Sequence, residues 1–313
     1  MLQNYVMMRL KYLLKKKRIE NSCNTYLFVL YEMKLLIILA LVFLETCTGQ
    51  MFGGKQAKEG QFPFAVQVRI RNCSGDCICG GAIVSPHWVI TAAHCVRKDN
   101  KTFAVAVVAG DRWLSEPTTG GFPRWLFPPI PRVEIGPENL RVYPHPRYDH
   151  STWNDVALIF VRVPFDRDPK VKMIGFGSEG GVREGQECTV MGWGYTRTDW
   201  GTEESSVQSR VLKYGKLKIT KIHNRAVRFG DLNRATGPYP LNGDSGSPVI
   251  CEDAKDGKQR LFGWLKGGWV KTNDAYFTNY QHFKGWIRKK QVEVEVENED
   301  VLELDKSLDE YSV

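Results

Sequence analysis

Residues 242–248 read NGDSGSP, and the fold turns on how Ser245 in that stretch is read. Gly, Asp, Ser and Pro are ordinary turn punctuation, so the stretch taken alone is a glycine-rich loop. A serine hydroxyl is a poor nucleophile near neutral pH unless a neighbouring base takes its proton. A nucleophilic reading therefore needs a base, an acid to orient that base, and donors for an oxyanion, all supplied elsewhere in the chain.

Around that loop the chain is rich in short β-type runs. FAVQVRI (64–70), TFAVAVVAG (102–110) and QECTVMGW (186–193) are bounded by Gly, Pro or Asp, and helical periodicity is scarce. Strands are predicted near 64–70, 80–84, 87–92, 103–109, 157–161, 187–193, 211–218, 247–251, 260–265 and 275–278. The 313 residues suffice for one sizeable core or two small ones, and 42% apolar with 25% charged residues is a globular composition. YQHFKGWIRKK (280–290) sets Tyr280, Phe283, Trp286 and Ile287 at helical spacing with bases at its end, which predicts a C-terminal helix. Ser115–Arg132 carries five prolines and three large aromatics, a long loop of a kind that is often functional.

Residues 33–49, MKLLIILALVFLETCTG, have the form of a secretory signal: one Lys, an apolar run from Leu35 to Leu44, then small polar residues. The run is short for a membrane span, and a signal anchor is the competing reading. The basic residues 1–32 are either an extended leader or precede the true start at Met33. On the signal reading residues 1–50 are removed, and six of the eight cysteines remain: Cys73, Cys77, Cys79, Cys95, Cys188 and Cys251. An even count after a signal implies disulfides. The alternative is a metal cluster of Cys73, Cys77, Cys79 and His94–Cys95, although zinc sites favour cleaner Cys-x2-Cys knuckles. Asn72 and Asn100 each head a glycosylation sequon.

Charge is unevenly spread. The tail 291–313 carries −8 and residues 1–50 carry +4, so the overall +8 leaves +12 on residues 51–290. A basic body with an acidic tail fits polyanion binding, self-association of tail with body, or simply a solvated, disordered terminus.

The base and the acid are found upstream. CGGAIVSPHWVITAAHC (79–95) frames a hairpin with two cysteines sixteen apart and ends on His94, and NDVALIF places Asp155 ahead of an apolar strand. With GDSGSP and CTVMGWG (188–194), these motifs resemble the trypsin/chymotrypsin family of serine proteases over roughly residues 51–290. The order His, Asp, Ser is the chymotrypsin order. The resemblance implies an all-β fold of two antiparallel six-stranded barrels, about 51–165 and 166–280, followed by the short helix 280–290. It implies a triad of His94, Asp155 and Ser245, with oxyanion donors on the backbone of Gly243 and Ser245. It further implies the links Cys79–Cys95 and Cys188–Cys251, leaving Cys73–Cys77 to close a short loop.

The departures from the family gather at the substrate site. The pocket-base position, Asp in trypsin-like members, is Tyr239 followed by Pro240. No carboxylate is therefore expected there for a substrate Arg or Lys, and small or medium apolar residues are favoured. Leu241 stands where the family has a cysteine, so a pocket disulfide is lost, which typically removes about 2–5 kcal/mol. Lys266-Gly267-Gly268 replaces the family's Ser-Trp-Gly, and Lys266 and Gly268 join Tyr239 and Ala275 in the expected pocket. A cation at 266 either competes with His94 for Asp155 or points outward. Met51-Phe52-Gly53-Gly54 resembles the new N-terminus that pairs with the Asp before the nucleophile, here Asp244, but Gln50 rather than a base precedes it. The expectation is a secreted, monomeric serine endopeptidase acting on polypeptides. Protein protease inhibitors are further expected partners, and no metal, cofactor, nucleic acid or stable membrane anchor is expected. The rival is a protease-fold binding protein with little turnover.

Overall fold

The computed structural model describes residues 54–72, 75–98, 101–102, 104–114, 133–150, 153–197, 206–230, 232, 238–269 and 274–298. The chain divides into Met1–Thr48 and Gly49–Val313, and every described residue falls in the second unit. Two antiparallel sheets make up most of it. Their strands are β1 (Lys55–Gln56), β2 (Ala65–Asn72), β3 (Gly75–Ser85), β4 (Trp88–Thr91), β5 (Ala104–Ala109), β6 (Val133–Ile135) and β7 (Leu140–Pro144). They continue with β8 (Ala157–Val161), β9 (Glu187–Gly192), β10 (Lys213–Ile222), β11 (Ala226–Phe229), β12 (Pro248–Glu252), β13 (Gln259–Trp269) and β14 (Asp274–Asn279).

The first sheet has the order β6-β5-β2-β3-β4-β8-β7. β4 (WVIT) and β8 (ALIFV) are buried along their whole length and lie side by side, with Thr91 opposite Ala157. Continuous apolar runs of this kind suit strands covered on both faces. The second sheet has the order β1-β10-β9-β12-β13-β14-β11, and a β10–β11 pairing closes six of these strands into a barrel. β10 shows the period of two: Gly215, Leu217 and Ile219 point inward, while Lys216 and Lys218 are exposed. The inward row begins with Lys213, a lysine where the pattern asks for an apolar residue.

The all-β, chymotrypsin-like class is the one found. In detail the two sheets differ. The first is a curled sheet of seven strands, with no pairing that closes β6 onto β7 among the described residues. β1 belongs to the second sheet, where Lys55 and Gln56 pair with Tyr214 and Lys213, although residues 51–165 are expected from sequence to form the first barrel.

The C-terminal helix, Tyr280–Glu297, runs seven residues past the expected end at Lys290. Asn279 caps it by accepting from the Gln281 N–H at 3.1 Å. Tyr280, Phe283, Ile287 and Val294 are buried along one stripe, and Tyr280 stacks on Phe176 at 3.9 Å. The extension has two causes. Val294 gives it a buried anchor, and Glu293 sits beside Lys289 and Lys290 one turn back. Glu295 then accepts from the Trp88 indole at 2.8 Å, which ties the helix to β4. The beginning of the acidic stretch is thus helix. Residues 299–313, the leader 1–50 and the proline-rich loop 115–132 lie outside the described residues.

Candidate active site

The antiparallel pairing of β4 with β8 sets the site. His94 lies three residues beyond Thr91 and Asp155 two residues before Ala157, so the register delivers both to the same end of the sheet. A one-turn helix (Ala93–Val96) carries His94, and the disulfide Cys79–Cys95 fastens that turn to β3. Asp155 grips His94 twice. Its Oδ1 accepts from the His94 backbone N–H at 2.9 Å, and its Oδ2 lies 2.8 Å from Nδ1. Burial alone would raise the Asp155 pKa, but the neighbouring His94 charge and its hydrogen bonds hold it below the usual carboxylate value. An ionised carboxylate only accepts, so Nδ1 carries a proton, and in the neutral ring Nε2 is the nitrogen left with a lone pair. Burial would lower the His94 pKa, and Asp155 reverses that to a net rise.

Asp155 is itself held from the second sheet. Its backbone carbonyl accepts from the Trp264 indole at 2.9 Å and from the Thr278 hydroxyl at 3.2 Å. Two residues on β13 and β14 thereby hold Asp155 in place.

Ser245 is positioned by backbone. Its carbonyl accepts from Gly80 N–H at 2.8 Å, and Gly246 N–H donates to Leu265 O at 2.7 Å, so the turn is pinned between β3 and β13. Gly246 has φ 76°, and a Cβ there would collide with the Thr91 hydroxyl and stand 3.2 Å from the Ala92 nitrogen. Only glycine allows this close approach, which seats the Ser245 turn against the chain just before His94. Gly243, with φ 91°, also takes the left-handed conformation. His94 Nε2 lies 3.8 Å from Cys95 Sγ, and Ser245 makes no hydrogen bond to it here; such bonds commonly tighten only when substrate binds. Asp244, beneath the turn, is 1% exposed, and its two oxygens accept from Gly194 N–H at 2.8 Å and Leu241 N–H at 2.9 Å. Burial lifts its pKa to about 7.

Tyr239 and Ala275 belong to one buried cluster, and Ala275 pairs with Phe229 on one side and Gly268 on the other. The Tyr239 hydroxyl donates to the backbone carbonyl of Asp274 at 3.4 Å. Sequence reasoning missed Asp274. It meets Tyr239 through its backbone carbonyl, while its carboxylate, 4% exposed, accepts from Arg228 at 2.8 Å. In sequence it is an acid opening the apolar run AYF, which reads as a surface charge, and its partner on β11 is visible only after folding. Lys266 Nζ stands 5.9 Å from the centre of the Trp153 ring, itself half exposed, and its charge reaches both Asp155 and His94.

The second disulfide is Cys188–Cys251, between directly paired residues of β9 and β12. Cys79, His94 and Cys95 cluster closely, but the two sulfurs are bonded to each other and offer no thiolate for a metal. Cys73, Asn100, Met51 and the side chain of Asn72 lie outside the described residues. No helix among the described residues is long and apolar enough to cross a membrane.

A sheet pair of this topology, bringing a histidine and its aspartate against a GDSG turn, is the arrangement of chymotrypsin-like proteases. The chain belongs to the trypsin family of serine proteases: the family model Trypsin matches residues 51–287. It is 27% identical to mouse Serine protease 56 over 253 residues, which is 77% of this chain but 38% of that relative. The chain thus aligns with well under half of the relative's length.

Proposed function

We propose that the chain is a secreted serine endopeptidase that works through Ser245, His94 and Asp155 by way of an acyl-enzyme. The observation that carries this is the double hold of Asp155 on His94, which in the neutral imidazole leaves Nε2 as the free base at the end of the sheet where the Ser245 turn is seated. In the first step Ser245 Oγ attacks the scissile carbonyl carbon and its proton passes to Nε2. The carbonyl electrons move to oxygen, where the N–H groups of Gly243 and Ser245 would stabilise the charge by about 3 kcal/mol each. Collapse breaks the C–N bond, and His94 returns the proton to the leaving amine. Water then attacks the ester with His94 again as base, releasing the acid and restoring the Ser245 hydroxyl.

Secretion is supported by the apolar run Leu35–Leu44 and the two disulfides. Sequons at Asn72 and Asn100 are in keeping with it, and polypeptides are the substrates. Specificity is not trypsin-like on this reading. The pocket-base position is Tyr239 rather than an acid, and the Asp274 carboxylate, whose residue Tyr239 touches through the backbone carbonyl, is engaged by Arg228. A second reading, a protease-fold binder with little turnover, is favoured by the Lys266 charge acting on Asp155 and His94.

One preparation of the secreted protein decides among these. A fluorophosphonate should label the wild type and not Ser245→Ala, and a peptide library should be cut after small or medium apolar residues. No labelling under any condition favours the binder, and a profile dominated by Arg removes the assigned specificity.

A further inference from the structure

Lys213 is the residue that the chemistry above leaves unused. It is 2% exposed, and its ammonium makes no hydrogen bond among the described residues. It sits directly opposite Gly192 in the β9–β10 register. Directly paired residues of antiparallel strands share a face. On that face a Cβ at Gly192 would strike Asp244 Oδ1, so the Lys213 side chain and the Asp244 carboxylate lie on the same side of the barrel wall. Among the described residues the carboxylate takes its hydrogen bonds from two neutral amides, Gly194 N–H and Leu241 N–H. An ammonium with no hydrogen bond and a carboxylate with no contacting cation among the described residues, buried on one face, are each costly alone and complementary together.

We propose that Lys213 is a positioning residue that supplies Asp244 with its counter-charge while residues upstream of Met51 are still attached, so that the oxyanion turn is assembled without a freed N-terminus. The inference rests on the serine-protease reading and adds how that site becomes competent. Asp244 precedes the nucleophile, and its two amide contacts fix Leu241 and Gly194, which flank the turn. A cation on the β10 side holds the carboxylate in that place. Burial draws the Lys213 pKa down to about 8 and lifts that of Asp244 to about 7, and each charge opposes the other's shift. Lys213 also pairs with Gln56 of β1, so the strand that carries it is the one the N-terminal segment runs along.

The test uses the full chain with an enteropeptidase recognition sequence inserted between Gln50 and Met51. The rate of fluorophosphonate labelling is measured before and after cleavage for wild type, Lys213→Met and Lys213→Arg. Before cleavage the wild type should label, Lys213→Met should be slower by about 100-fold, the scale of losing one oxyanion donor, and Lys213→Arg should stay within about tenfold of wild type. After cleavage the new amine should restore Lys213→Met, a recovery that a merely misfolded variant would not show. Equal labelling of uncleaved wild type and Lys213→Met overturns the proposal. So does an uncleaved wild type that labels only after cleavage, or a Lys213→Met that never recovers. If no form labels before or after cleavage, the protease reading itself fails and this inference falls with it.

Discussion

Asp155 and Asp244 are both carboxylates sealed in the interior, at 3% and 1% exposure, yet they depart from their ordinary pKa in opposite directions. Burial pushes both upward. At Asp155 an imidazole hydrogen-bonded through Nδ1, with its own backbone N–H, more than reverses the push. At Asp244 two backbone amides and a cation out of hydrogen-bond reach do not. The two neutral donors at Asp244 pull its pKa down less than burial pushes it up, whereas the imidazole contacting Asp155 more than offsets burial there. The two acids are thereby suited to different tasks, one as a permanent anion behind the base, the other as a structural group sensitive to its counter-charge.

The largest expected effect removes one side of the comparison. Asp155→Asn keeps the shape and the Trp264 and Thr278 contacts to the backbone carbonyl, but it no longer offers two acceptor oxygens. The imidazole would turn to the wrong tautomer, and kcat should fall by about 10⁴-fold with KM little changed. Steady-state kinetics on a peptide substrate measure this. A loss under about tenfold would mean that Asp155 does not set the His94 tautomer.

The next effect concerns stability against pH. The Asp244 pKa is raised in the folded chain from 3.8 to about 7. Its contribution to stability is therefore fully present below pH 4 and is lost as pH rises toward 7, by about 4 kcal/mol at most. Asp155 has the opposite sign: its contribution is present above 3.8 and is lost only as pH falls through its lower folded value. Asp244→Asn should lose about 1–3 kcal/mol outright, since an amide accepts from only one of the two N–H groups. It should also lose the decline between pH 4 and 7. Urea unfolding of both proteins at pH 5 and 7.5 reads the slope, and parallel slopes would separate Asp244 from it.

The contrast also shows what the sequence could carry. His94, Asp155 and Ser245 stand in dense local motifs, and the β-rich runs mark the buried strands β4 and β8 correctly because an apolar run needs no partner to be recognised. The short strands β6, β7 and β11 are not marked, since runs of three to five residues are too short to establish a period. Lys213 and Asp274 were illegible for a deeper reason. Each looks like an ordinary surface charge until a cross-strand neighbour, Gly192 for one and Arg228 for the other, decides that it faces inward. The longer C-terminal helix was hidden likewise, because the glutamates that read as a solvated tail include one that bonds Trp88, 207 residues away.

The smallest expected effect tests how far the Asp155 site tolerates a foreign cation. Lys266 takes a position that lowers the His94 pKa and also helps to lower that of Asp155. Its own pKa is lowered, first by burial, with Asp155 acting against that. The base works only when neutral, so the acid limb of kcat/KM follows the His94 pKa. Lys266→Met removes the charge and keeps a stem of similar length against Trp153. With the opposing charge gone, the His94 pKa rises further and the acid limb should move to higher pH. The plateau above the limb should stay within about tenfold of wild type, because the Asp155–His94 hydrogen bonds are untouched. Salt should act in the same sense on wild type alone, since screening weakens the Lys266 field and the variant has no such field to weaken. A limb that moves to lower pH, or one that does not move at all, would show that Lys266 is turned outward and that the triad pair is insulated from it.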